Sequence, residues 1–241
     1  MTGYDTCDSA DIPSSKDLRD EAWSALEDRG YWPFVGAGIV LMLISGFFSI
    51  PFFSTVVTMQ WMRDLADVKG PHTDLPAFVL ALALTAVPLL YIIGLGTFSD
   101  AKMSLAAIRR EMRFELFWSG YGHGWKTLGL LLVMLFYILL WSLLLVVPGI
   151  KKAFSYAMAP YILVEHPDWS IKKCIAVSST MMKGSRLRLC DLLLSFLVWF
   201  VLAVLASRVR VIGHFVNAFY MPYPQTAVAA FYEDLKRRFR M

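Results

Sequence analysis

Chemistry in this chain would have to come from few residues. There are four histidines, His72, His123, His166 and His214, and none stands at metal-ligand spacing from another histidine, a cysteine or a carboxylate. His72 follows Pro71, His123 lies between glycines and His166 precedes Pro167, which are turn positions and read as loop histidines rather than acid–base catalysts. Cys7, Cys174 and Cys190 make an odd set with no close pairing. Cys174 and Cys190 therefore read as small buried apolar residues, not as a disulfide framework or zinc site. No phosphate loop, nucleophile elbow, dinucleotide fingerprint or HExxH helix occurs. An enzyme would need groups gathered across helices, so no catalytic residue, metal or cofactor is assigned.

The remaining polar residues form two candidate sites. Lys172, Lys173, Lys183, Arg186 and Arg188 make a basic stretch suited to anionic lipid headgroups. Asp191, Asn217 and Gln225 are the candidate intramembrane polar site. At a helix centre an acid costs roughly 2.5 to 3.5 kcal/mol, less toward the interface. Arg186 and Arg188 lie within about a turn of Asp191, so a structural ion pair is expected there in preference to a proton or substrate site. Asn217, Gln225 and Thr226 are expected to hydrogen-bond neighbouring helices rather than line a pore. Arg208, Arg210 and His214 read as snorkelling anchors in a short turn.

Lipid is the medium that such groups imply, and the composition agrees. Of 241 residues 57% are hydrophobic and 17% charged, more apolar and less charged than water-soluble domains. Residues 31–62, 75–99, 127–150 and 211–232 contain no Asp, Glu, Lys or Arg, and each run exceeds the roughly 20 residues with which a helix crosses about 30 Å of hydrocarbon. The runs are apolar on every face, unlike barrel strands, and helices satisfy their own backbone groups in lipid. The expected fold is all-α, a polytopic membrane bundle with about six transmembrane helices and additional interfacial amphipathic helices.

Residues 1–30 are expected to form a cytoplasmic polar tail and amphipathic helix, and 31–241 a single transmembrane domain with spans at about 34–58, 76–98, 127–147, 150–165, 189–207 and 211–232. The fourth and fifth spans are the shortest uncharged stretches, and the turn before the fourth is placed at Pro148-Gly149. With six spans, 17 Lys and Arg fall on the side of the termini and 6 on the other, which puts both termini in the cytoplasm. Eight acids against three bases precede the first span, the wrong charge for a secretory leader, so no cleavage is expected.

Three amphipathic helices are expected on the cytoplasmic face. Residues 15–29 place Leu18, Ala22, Ala25 and Leu26 on one side, with Ser14 or Ser15 as N-cap and Gly30 as stop. Lys102 to Phe117 opposes Leu105, Ile108, Met112 and Leu116 to Arg109, Arg110 and Arg113. Ser170 to Gly184 opposes Ile171, Cys174, Ile175, Ser178, Met181 and Met182 to Lys172, Lys173 and Lys183.

The second half of the chain also carries an ordered series. Pro148-Gly149-Ile150 is followed by Ser155 through Tyr161, Pro167, Ser178, Met182-Lys183-Gly184, Leu194-Ser195-Phe196 with Trp199, and Pro222-Tyr223 with Phe231-Tyr232. Leu18-Arg19 with Ala22 before Trp32, and Glu115-Leu116-Phe117 with Gly120-Tyr121, extend it into the first half. The series resembles the bacterial membrane family "domain of unknown function 975", itself distantly similar to the membrane domain that precedes some glycerophosphodiester phosphodiesterases. The resemblance implies a multi-span helical fold without catalysis. The chain departs from the family pattern at residues 207–219, rich in Arg and Val where glycines are usual, and in a first span rich in Phe.

The expected role is that of a non-catalytic membrane scaffold, lipid-interacting or accessory protein. Its partners would be the lipid bilayer, anionic lipids and a membrane-protein partner or second copy, with no nucleic acid. The alternatives are a small-molecule transporter or channel, for which Pro51, Pro88, Pro160, Pro222 and Pro224 would break helices, and a membrane-embedded lipid-acting enzyme centred on Asp191.

Overall fold

The structure is a computed structural model that describes residues 12–27, 31–45, 47, 75–144, 146–206 and 219–239. Expectations for Cys7, Gly30, Pro51, His72, Arg208, Arg210, His214 and Asn217 fall outside the described residues. Every regular element among the described residues is helical.

Helix α1, Ser15–Ala25, begins as the sequence predicts. The Ser14 side chain accepts from the Asp17 backbone N–H while the Asp17 carboxylate accepts from the Ser14 backbone N–H, a reciprocal box that satisfies two otherwise orphaned donors. Leu18, Ala22, Ala25 and Leu26 are all buried. They are buried against protein, because α1 packs on the C-terminal helix and on the helix Leu75–Ile108. Helix α2, Tyr31–Ser45, sets Phe34 and Ala37 against Met103, Ala107 and Phe117.

Helix α3, Leu75–Ile108, has 34 residues and is about 51 Å long, well beyond the 76–98 span. The separate interfacial helix expected over Lys102–Phe117 does not exist. Nothing between Ser99 and Lys102 breaks the helix, which runs on to Ile108 and ends at Arg110, a non-glycine residue at φ 57°. Arg110 N–H donates to Ala107 O at 3.0 Å and Glu111 N–H to Ala106 O at 2.8 Å, the paired bonds of a Schellman termination. Helicity resumes only in α4, Glu115–Trp118.

Helix α5, Gly124–Leu144, is followed by α6, Val146–Tyr156, and α7, Ala159–Glu165. These form one antiparallel hairpin of matched length. Lys126 Nζ donates to Pro167 O at its base, the Tyr137 and Tyr156 rings lie 6.3 Å apart midway, and at the tip a Cβ on Gly149 would sit 2.0 Å from Ser142 Oγ. The predicted turn at Pro148-Gly149 is thus misplaced, because both residues lie in the first turn of α6. Proline is tolerated there because the N–H it lacks would have no helical partner. Gly94 makes the corresponding close approach between α3 and α5, where an added Cβ would lie 2.2 Å from Gly124 O.

Helix α8, Ile171–Met181, starts at Ser170, whose hydroxyl caps Lys173 N–H at 3.3 Å. The chain then turns through Gly184 at φ 86°. Its predicted apolar face is the packed one, with Cys174, Ile175, Ser178, Met181 and Met182 buried against α5, α6 and α7. Helices α9, Arg186–Ser195, and α10, Leu197–Ala206, occupy the predicted fifth span with a break at Phe196. Helix α11, Pro222–Phe239, continues beyond the predicted end of the sixth span and closes with Lys236, Arg237 and Arg238 in its last turn, where cations favour the helix dipole.

Among the described residues one helix, Gly124–Leu143, is long and apolar enough to cross a membrane, with mean hydropathy 2.0. Little of it is buried. Leu132, Leu135, Phe136, Leu139 and Leu140 are exposed, and Leu143 is 86% exposed. In α10 Val198, Trp199, Phe200, Val201, Leu202 and Leu205 are exposed as well.

Candidate functional site

Two polar sites are built where α3, α7 and α11 converge. The first is ionic. Glu165, the last residue of α7, accepts from Tyr232 Oη at 2.7 Å, Lys236 Nζ at 2.6 Å and Arg109 Nη2. Arg109 also donates to Glu233 Oε1, from Nε at 2.8 Å and Nη2 at 2.5 Å. Two carboxylates thus meet two cations, and every charge has a partner. Burial alone would lower the Arg109 pKa, but hydrogen bonds and attraction from Glu165 and Glu233 carry it above its ordinary value. Arg109 is therefore charged at any physiological pH.

A second knot ties the termini to the first. Arg188 Nη2 donates to Asp234 Oδ2 and to Pro13 O, each at 3.0 Å, and its guanidinium lies 5.3 Å from the Phe231 ring centroid. Arg238 Nε donates to Asp234 Oδ1 at 3.1 Å. A cleft of about 500 Å³ opens beside the ionic layer, lined by Lys102, Arg109, Glu111, Glu165, His166 and Lys236 among others.

The other site is a crevice of about 390 Å³ at Asp100 of α3. Its far wall is made by the two proline-started helices, α7 with Pro160 and α11 with Pro222 and Pro224. Gln225 Nε2 donates to Asp100 Oδ2 at 3.3 Å, and Tyr161 Oη donates to the Gln225 backbone carbonyl at 3.3 Å. Gln225 Oε1 is buried with no hydrogen-bond partner.

The predicted site residues are distributed differently from the expectation. Lys172 and Lys173 are exposed on α8 and Lys183 in the turn after it, with Lys173 Nζ 3.7 Å from the Trp169 ring centroid. Arg186 is half-buried, and Arg188 is engaged by Asp234 and Pro13. Asp191 does not pair with Arg186 or Arg188. It is exposed on α9, where Ser15 Oγ donates to it, because Arg188 turns instead toward α11. Gln225 belongs with Asp100, so the structure does not join it to Asp191. His123 stacks on Phe98 and His166 on Trp169. Cys174 is buried and Cys190 half-buried, both as free thiols.

Sequence reasoning passed over Asp100, Arg109, Glu165, Tyr232, Glu233 and Lys236. A signal was present for two of them. Asp100 and Glu165 each close an uncharged run, 75–99 and 153–164, the position where an acid most needs a partner.

A family model described as "Protein of unknown function (DUF975)" matches residues 40–239. No curated protein and no solved structure matches the chain.

Proposed function

The chain belongs to the DUF975 family of proteins of unknown function, and from that premise we propose that it is a six-span protein of a bacterial cytoplasmic membrane. In this reading both termini are cytoplasmic, and the protein acts without catalysis as a lipid-interacting scaffold or accessory protein. The observation that carries it is the contrast along α5. A helix of this hydropathy in a water-soluble core would be covered, whereas Leu132, Leu135, Leu139, Leu140 and Leu143 are exposed, an arrangement suited to lipid. The ionic layer adds support. Residues from the four segments that charge counting assigns to the cytoplasm, Pro13, Arg109, Glu165 with Arg188, and Glu233 to Arg238, are bonded to one another. The matched hairpin of α5 with α6 and α7 favours a full crossing by the fourth segment. The distant likeness to the phosphodiesterase-associated membrane domain belongs to the same reading.

Lipid contact with anionic headgroups is assigned to Lys172 and Lys173, exposed on α8, and to Lys183 in the turn after it, beside half-buried Arg186. Replacing the three lysines by Gln should reduce the anionic lipid retained by the protein purified in detergent. Unchanged retention removes the assignment. A transporter is the second reading, favoured by the Asp100 and Gln225 side chains in a crevice beside the proline-started helices α7 and α11. Solute uptake into proteoliposomes, abolished by Asp100→Asn, would establish it.

A further inference from the structure

Asp100 stands nine residues before Arg109 on α3, about 13 Å along the helix axis. In the six-span reading this is the boundary between hydrocarbon and headgroups. Among the described residues its carboxylate receives one side-chain hydrogen bond, from the neutral amide of Gln225. With Asp100 ionised the amide must present Nε2 to it, because turning it over would set two acceptors against each other. Gln225 Oε1 is consequently left as a buried acceptor with no donor, a state that costs free energy unless something supplies one. The rest of the crevice is apolar, formed by Ala101, Ala157, Pro160, Leu193, Pro224 and Val228.

Burial raises the Asp100 carboxyl to about 7, so a cation bound there would stabilise its ionised form, and that carboxylate with a neutral acceptor between apolar walls calls for positive charge, N–H donors and an apolar body in one ligand. We propose that this crevice binds a primary ammonium group carried on an apolar body, its N–H groups donating to Asp100 and to Gln225 Oε1. A hard metal cation fits less well. It takes about six or more oxygens, and the crevice side chains offer only those of Asp100, Gln225 and Thr97, with Tyr161 Oη committed to a backbone carbonyl. A quaternary ammonium has the charge but no N–H to satisfy Gln225.

The ammonium has two possible sources, the ethanolamine headgroup of a phospholipid or a free amphiphilic amine. The lipid source rests on the membrane reading above; neither source depends on the lysines of α8. The test uses the full chain purified in a non-ionic detergent. Native mass spectrometry compares retained phosphatidylethanolamine with phosphatidylcholine, and thermal stabilisation compares phenylethylamine with its N-trimethyl counterpart. A charged hydrogen bond corresponds to about a tenfold preference, so the primary ammonium should win by about that factor in at least one pair. Preference in the lipid pair alone assigns the headgroup, in the amine pair alone the free amine, and in both either source. Asp100→Asn and Gln225→Leu should each abolish it, and the second variant decides if the first fails to fold. Equal binding within both pairs, or a preference that survives both substitutions, overturns the proposal. So does stabilisation by sodium or potassium in place of the amine. If the protein stays monodisperse without detergent the membrane reading fails, and the amine pair then decides the crevice in plain buffer.

Discussion

Glu165 and Asp100 are carboxylates of one bundle, each closing an apolar run, and they are held in opposite ways. Glu165 has both oxygens occupied by donors from Arg109, Tyr232 and Lys236, two of them cationic. Among the described residues Asp100 has a single donor, from a neutral amide whose own oxygen lacks a partner. A saturated cluster of this kind fixes the relative positions of α3, α7 and α11, since removing any member strands the others. The crevice instead retains hydrogen-bonding capacity for something outside the chain. Similar groups thus serve structure at one place and recognition at the other.

Glu165→Gln should break the contrast most severely. It leaves Arg109 and Lys236 facing a neutral amide in a site where the Glu165 side chain is only 10% exposed, and the expected loss is about 2 to 3 kcal/mol. Unfolding of the detergent-solubilised protein measures it, and a loss below about 0.5 kcal/mol would mean that the layer is ornamental surface pairing. Arg110→Gly should act in the other direction. Relief of a left-handed residue at the end of α3 is worth about 0.5 to 1 kcal/mol, and the gain should leave the neighbouring Arg109 cluster intact. Asp100→Asn keeps the bond from Gln225 and should change stability by less than about 0.5 kcal/mol in the same assay. A cost equal to that of Glu165→Gln would erase the distinction between the two acids.

The smallest effect concerns an exposed carboxylate. Backbone and side-chain hydrogen bonds from Ser14 hold Asp17 below its ordinary value of 3.8. A depressed carboxylate stabilises above its unfolded value and loses that contribution as pH falls through the folded one. Protection of α1 in hydrogen exchange should therefore be steady above pH about 5 and decline on acidification, and Asp17→Asn should flatten the decline. An unaltered profile in Asp17→Asn would assign the acid sensitivity elsewhere, with the Glu165 cluster the first suspect.

Local chemistry made part of this legible in the sequence. The uncharged runs announce their helices, and Ser14, Ser170 and Gly184 mark ends through capping and a positive φ that depend on near neighbours. The end of α3 was hidden because arginine occupies the left-handed position that glycine usually signals. The start of α6 ahead of Pro148 was hidden because Pro148 is as compatible with a first helical turn as with a loop. The sites were less visible still. Asp191 drew attention through nearby arginines, but Arg188 found its acid on α11, 46 residues away, and Gln225 lies 125 residues from Asp100. Spacing along the chain carries no record of such pairings, which are set by helix packing.

Labelling of single cysteines in membranes tests the six-span arrangement most directly. In a background lacking the three native cysteines, Arg113→Cys, Lys183→Cys and Arg237→Cys should react with an impermeant thiol reagent only from the cytoplasmic side, and Lys151→Cys, near the hairpin tip, only from the opposite side. Reaction of Lys151→Cys from the same side as Lys183→Cys would contradict it, because α5 and its returning partner would then not cross the bilayer.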